Sequence, residues 1–168
     1  MTTAVTLEVT YPALPPVKFD DSLAFGIVAL DRDGKIKAQT RGTYQYSATP
    51  KPGQDVSYTI NAPIDLPSQP LTLRVAVASQ ALGRVASIHL PVEAMNPSRD
   101  ALQIGSIVLG FAGAPRQTAV PANALKGLVP IQPTLVRASA PSDALQIHAP
   151  LFWRGTDGGT AIVTIGMR

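Results

Sequence analysis

Cysteine is absent from this 168-residue chain. Its absence excludes disulfides and thiolate metal sites, and says little about compartment. Histidine is scarce as well: His89 and His148 are the two. They lie far apart in sequence, and no spacing joins them into a zinc ligand set. Charged residues reach only 15% of the chain, on the low side for a soluble domain. No apolar stretch approaches the roughly 18 residues that a membrane-spanning helix needs. Runs such as 24–30 have the length of a strand. Met1-Thr2-Thr3 lacks the basic start and apolar core of a signal peptide. The expectation is either a cytosolic protein or a chain from which a leader, and more, has been removed.

The local signatures of catalysis are missing too. There is no phosphate loop and no dinucleotide fingerprint. Ser106, in Gly105-Ser106-Ile107-Val108-Leu109, lacks the spacing of a nucleophile elbow. Asp31, Asp33 and Gly34 begin like a calcium loop. Lys35 then stands where a third acidic ligand is due, and Gly42 where a bidentate Glu is due. A polar hairpin turn is the better reading. Asp20 and Asp21 could join this group only if two loops converge at one end of the fold. Asp157-Gly158-Gly159 is a turn signal with no ligands around it. No catalytic residue, metal ligand or cofactor is expected. Net charge is +3, from 14 Lys and Arg against 11 Asp and Glu. The densest basic group, Arg32, Lys35, Lys37 and Arg41, suits a solvated hairpin face better than a nucleic-acid patch.

What is present is a period of two. In 71–77, Leu71, Leu73, Val75 and Val77 share one face; Thr72, Arg74 and Ala76 share the other. In 86–92, Ala86, Ile88, Leu90 and Val92 alternate with Ser87 and His89. Such rows mark strands with one face on a core and one in water. Gln80-Ala81-Leu82-Gly83 between them reads as a hairpin loop. Val5, Leu7 and Val9 form another row, as do Leu23, Phe25 and Ile27, and Val56, Tyr58 and Ile60. Asp31-Arg32-Asp33-Gly34 is a turn. Segments 35–38 and 42–48 read as one interrupted strand or two short ones. The stretch 63–70 holds Pro63, Pro67 and Pro70 and is expected to be an extended connection. Sixteen prolines and thirteen glycines leave few windows for a long helix. About seven strands in this span suit an antiparallel sandwich of immunoglobulin or fibronectin type.

Asn96-Pro97-Ser98-Arg99 reads as a boundary, giving one all-β sandwich over 1–96. Region 97–168 then reads as the start of a second, incomplete sandwich. Its expected strands are 102–109, 134–138, 144–153 and 160–166, with loop-rich 110–133 among them and one helical turn at 123–127. Asp-Ala-Leu-Gln-Ile occurs at 100–104 and again at 143–147, as two strand entries of similar design. Too few strands for a closed sandwich leave an apolar face open. The region is therefore expected to dock on its neighbour or to pair with another copy as a homodimer.

Two regions, 27–36 and 66–87, carry a family resemblance. Ile27-Val28-Ala29-Leu30-Asp31-Arg32-Asp33-Gly34-Lys35-Ile36 resembles a strand–turn–strand unit of large bacterial proteins, common in acidobacteria, related to von Willebrand factor type A-domain proteins. So do Leu66-Pro67, then Leu71-Thr72-Leu73-Arg74-Val75-Ala76-Val77, then Gly83-Arg84-Val85-Ala86-Ser87. In that family these motifs belong to the β-sandwich region after the type A domain. The resemblance implies a fold and an extracytoplasmic setting, not a chemistry. The type A domain and its metal-binding Asp-x-Ser-x-Ser loop are absent, so no metal site carries over.

The expected function is a non-enzymatic interaction or spacer module of a larger extracytoplasmic bacterial protein. Its partners would be another protein or the neighbouring domains of its parent. The alternative is a carbohydrate-binding accessory domain using exposed aromatics. Candidate surface residues are Phe152, Trp153 and Arg154 at a strand end, and Tyr44 and Tyr46 at alternate positions. Trp and Arg often carry binding energy at interfaces. Packing of Trp153 and of the tyrosines into the core is the preferred reading; coplanar exposed rings would favour sugar.

Overall fold

The structure, a computed structural model, describes residues 2–11, 14–53, 55–93, 102–111, 127–131, 133–135 and 144–153. Among them the chain forms strands and no helix. The first six are β1 (Thr2–Tyr11), β2 (Phe19–Leu30), β3 (Ile36–Ala48), β4 (Val56–Asp65), β5 (Pro70–Ser79) and β6 (Arg84–Glu93). The others are β7 (Leu102–Ile104), β8 (Val108–Phe111), β9 (Leu145–His148) and β10 (Leu151–Trp153).

The first six strands make two antiparallel sheets. One has the order β3-β2-β5-β6; the other is the pair β1-β4. The alternating rows decide which faces meet. Phe25, Ile27 and Ala29 of β2 and Leu71, Leu73 and Val75 of β5 pack on Ile60, Ala62 and Ile64 of β4, with Val5, Leu7 and Val9 of β1 closing over them. Removing these rows from water is the main stabilising term of the sandwich. The opposite face of β1-β4 is polar. There the hydroxyl of Thr2 donates to Asp65, that of Thr6 donates to Asn61 at 2.9 Å, and Thr10 and Ser57 share a bond of 3.0 Å.

The turns fall where the sequence places them. Residues 80–83 join β5 to β6, and Gly83 has φ of 60°, a backbone that side chains other than glycine disfavour. In the β2–β3 turn the carboxylate of Asp31 accepts from the N–H groups of Asp33 and Lys35, each at 2.9 Å.

Five expectations need correction. Residues 35–48 are neither interrupted nor two strands, because β3 runs unbroken through Gly42. Pro63 lies inside β4, and only 66–69 connects β4 to β5. A proline is tolerated there because β4 is an edge strand with no ladder on one side. Segment 102–109 is split by Gly105, Ser106 and Ile107, and 144–153 by Ala149 and Pro150. Finally, Ile88 stands opposite Val75 as expected, but Val75 is 3% exposed and Ile88 51%.

Gly42 has a physical reason to sit mid-strand. It pairs with Phe25, and a Cβ on it would stand 2.5 Å from Phe25 Cε1. The ring is held in place by stacking on Tyr44, with centroids 5.3 Å apart. Gly42→Ala should therefore destabilise the sandwich by about 1–3 kcal/mol through overpacking. A urea midpoint equal to that of the parent would count against this contact.

The later strands pair with one another. β8 pairs with β9 and β7 with β10, all antiparallel. Together they form a two-stranded ribbon bent where the Gly105 N–H donates to the Pro150 carbonyl at 2.7 Å. Pro133 bridges Gly110 on the other side of β8. Among the described strands, none of β7–β10 comes within 8 Å of β1–β6, measured between Cα atoms. The boundary at 96–99, residues 123–126 of the helical turn expected at 123–127, residues 136–138 of the expected strand 134–138 and the strand at 160–166 lie outside the described residues; Gly127 is in a turn with φ of 95°, and 134–135 are not in a strand.

Candidate functional site

The most concentrated chemistry of the sandwich is a buried carboxylate at one end. Asp21 lies on β2 in the same inward row as Leu23, Phe25, Ile27 and Ala29, and is only 4% exposed. A charge in such a place needs partners. Its Oδ2 accepts from the Tyr11 hydroxyl at 2.9 Å and from the Ser79 hydroxyl at 2.6 Å. Its Oδ1 accepts from the Ala81 N–H at 2.9 Å. Ser79 Oγ in turn accepts from the Leu82 N–H at 3.2 Å, and the Gln80 N–H donates to the Ser22 carbonyl at 3.1 Å. The site thus ties β1, β2 and the β5–β6 turn together. Tyr46 lies opposite Asp21 in the ladder, and Tyr58 stands edge-on to Tyr11 with centroids 5.1 Å apart.

Burial alone would push the Asp21 carboxyl up. The Ala81 N–H, the Ser79 and Tyr11 hydroxyls and the Ser22 N–H outweigh that and hold it below its ordinary value. Burial pushes the Tyr11 hydroxyl up to about 12, so it remains a donor at neutral pH. A carboxyl lowered in the folded state adds stability that is complete above about pH 4, its unfolded value, and is lost as pH falls through the folded value. A urea midpoint that drops on acidification below about pH 4 is therefore expected. Asp21→Asn should give a flatter profile in that window; an unchanged slope would remove Asp21 from the account.

This arrangement uses the carboxylate up. Its acceptors are taken by fixed donors of the fold, which suits an anchor for a turn better than an acid or base for a substrate. The sequence carried one sign of it: Asp21 falls in phase with an apolar row. The partners were hidden, because Tyr11 and Ser79 come from strands distant in the chain.

The other candidate residues do not converge. Asp20 and Asp21 stand at the start of β2 and Asp31 just beyond its end, about 30 Å apart at the rise of a strand. The two loops do not meet, and Asp31 is engaged by its turn and by Lys37 at 3.0 Å. Among the described residues no group of three or more acidic or histidine side chains could hold a metal. Tyr46 and Tyr58 are buried, and Tyr44 is half-buried on Phe25. Tyr46 has no face to offer as a platform, because the inward row of β3 carries it into the core. Phe152 is half-buried beside Gly105, and the backbone of Trp153 lies opposite Leu102. Arg154 lies outside the described residues.

The surface feature that sequence reading missed is the inner face of β6. Ile88 and Leu90 belong to the core-facing row, opposite Val75 and Leu73, yet they are 51% and 41% exposed. Alternation reveals which side a residue faces; it does not reveal whether another layer covers it. Among the described residues no helix is long and apolar enough to cross a membrane. No family model, no curated protein and no solved structure matches the chain.

Proposed function

We propose that the chain is a non-enzymatic interaction or spacer module of a larger extracytoplasmic bacterial protein, built as an immunoglobulin-like sandwich. The single observation that carries this reading is the uncovered apolar row of β6. Ile88 and Leu90 continue the core face onto an edge strand, a place where such scaffolds accept partners. The strand order supports the fold assignment. A sheet β3-β2-β5-β6 facing a pair β1-β4 has the order of strands C′-C-F-G and B-E in immunoglobulin-type domains. The motifs at 27–36 and 66–87 favour the region that follows the type A domain in von Willebrand factor type A-related proteins. Its partners are neighbouring parent domains or a second protein, with homodimerisation through 97–168 as one route. The carbohydrate reading loses the support of Tyr46, which is buried, while Tyr44 is half-buried.

Fractionation of cells making the natural protein tests the setting. An antibody raised against the sandwich should find it in periplasm or medium; recovery from the cytosol alone would overturn the extracytoplasmic placement. Calcium, zinc and magnesium should each leave the melting temperature unchanged. A rise of several degrees with calcium or zinc, but not magnesium, would reveal a metal site in the chain.

A further inference from the structure

A sheet edge offers backbone as well as side chains, and the ladder fixes which backbone groups of β6 are free. The Gln80 N–H donates to the Ser22 carbonyl at 3.1 Å. Even positions of β5 therefore turn their N–H and C=O toward β2, and odd positions turn theirs toward β6. Through the pairs Val77–Ala86, Val75–Ile88 and Leu73–Leu90, the even positions of β6 complete that ladder. Val85, Ser87 and His89 are left with both backbone groups pointing out from the edge. Pro91 agrees with this phase. It has no N–H to donate, and it stands among the outward positions, where the ladder needs none.

This edge carries few of the usual guards against strand pairing. At the opposite edge of the sheet, β3 carries Lys37 and Arg41. β6 has no lysine, and its register with β5 runs from Arg84 to Glu93 without a bulge. Arg84 and Glu93, of opposite charge, stand at its two ends.

We propose that β6 pairs antiparallel with β6 of a second copy, across a two-fold axis at Ile88, joining two four-stranded sheets into one of eight. The proposal rests on the reading of β6 as an interaction strand and adds what meets its edge. The strand is self-complementary in this register. On the inner face Ala86 meets the partner's Leu90, and Ile88 meets the partner's Ile88. On the outer face Val85 meets the partner's Pro91, and Ser87 meets the partner's His89. No like charges face one another, and apolar residues meet across the axis. Arg84 falls within one residue of the partner's Glu93, so the charged ends attract. The outward groups of Val85, Ser87 and His89 and the carbonyl of Pro91 can make about six backbone hydrogen bonds across the axis. Other registers are worse. An axis at His89 sets that residue against the partner's His89, each beside its own Arg74 in the ladder. An axis at Ser87 sets Arg84 against the partner's Leu90. One symmetric pairing occupies both edges, so association stops at two. Edge pairing adds strands beside Ile88 and Leu90 and none over them, so their row stays displayed.

The chain lacks cysteine, so single cysteines in the full chain report the pairing. Ile88 and the partner's Ile88 would form a non-hydrogen-bonded pair with Cα atoms about 4.5 Å apart, within reach of a disulfide. Ile88→Cys should give a disulfide-linked dimer on mild oxidation. Ile36→Cys, exposed at the start of the opposite edge strand, should give at least tenfold less. Equal crosslinking from positions 36 and 88 would overturn the proposal. Ser87→Pro removes an outward N–H that the β5 ladder does not use. It should keep the parent's circular dichroism and sediment as a monomer where the parent sediments as a dimer. A dimer that survives this change would overturn the pairing. Should Ser87→Pro fail to fold, hydrogen exchange at Val85, Ser87 and His89 in the unaltered chain decides. Protection that grows with protein concentration supports the dimer. Fast exchange at every concentration overturns it and leaves β6 an open edge for a different partner. Equal protection at all concentrations, in a monomer, would mean that the chain covers its own edge, and would overturn both the dimer and the reading beneath it.

Discussion

Replacing Asp21 by alanine is expected to cost roughly 3–5 kcal/mol of stability, among the largest single-residue losses in the sandwich. The carboxylate is the common acceptor for the Tyr11 and Ser79 hydroxyls and the Ala81 N–H. Its removal leaves those buried donors without a partner and opens a cavity among Leu23, Tyr46 and Tyr58. Asn at this position keeps the shape but supplies one carbonyl oxygen and brings donors of its own, so Asp21→Asn should recover only part of the loss. Urea titration of both variants reads this directly. A loss below about 1 kcal/mol for Asp21→Ala would mean that water or repacking replaces the network.

The second large effect belongs to the core. Ile27 is fully buried between the sheets, opposite Val75 in the ladder. Ile27→Ala should cost about 2–5 kcal/mol through lost burial and a residual cavity. Val85→Ala, at a position 74% exposed on the outer face of the same sheet, should cost under about 0.5 kcal/mol. Equal losses would show that the inward and outward rows are out of register. Ile88→Ala, in the core-facing row but 51% exposed, should cost less than Ile27→Ala.

These two sites differ in how well the sequence disclosed them. The row containing Ile27 was legible because period-two alternation is a local property, and so were the turns at 31–34 and 80–83. The unbroken β3 was not, because Gly42 reads as a strand breaker until the Phe25 ring is seen lying over it. The role of Asp21 was half legible. Its phase with Leu23 and Phe25 was on view, but a carboxylate in an apolar row makes sense only once Tyr11 and Ser79 meet it from other strands. The exposure of Ile88 was beyond sequence reading altogether, since it depends on how many strands the opposite sheet contains.

The course of the chain bears on how such a module could carry load. Thr2 pairs with Asp65, and Glu93 pairs with Pro70, so only residues 66–69 separate the places where the described sandwich is entered and left. Both lie at the same end, away from the Asp21 anchor. Tension applied through Thr2 and Glu93 would peel the outer strands one ladder pair at a time rather than shear a whole ladder at once. A unit threaded in this way adds little contour to its parent and yields at low force. Of the two roles proposed, this threading favours an interaction module that displays β6 over a spacer that holds two domains at a fixed distance.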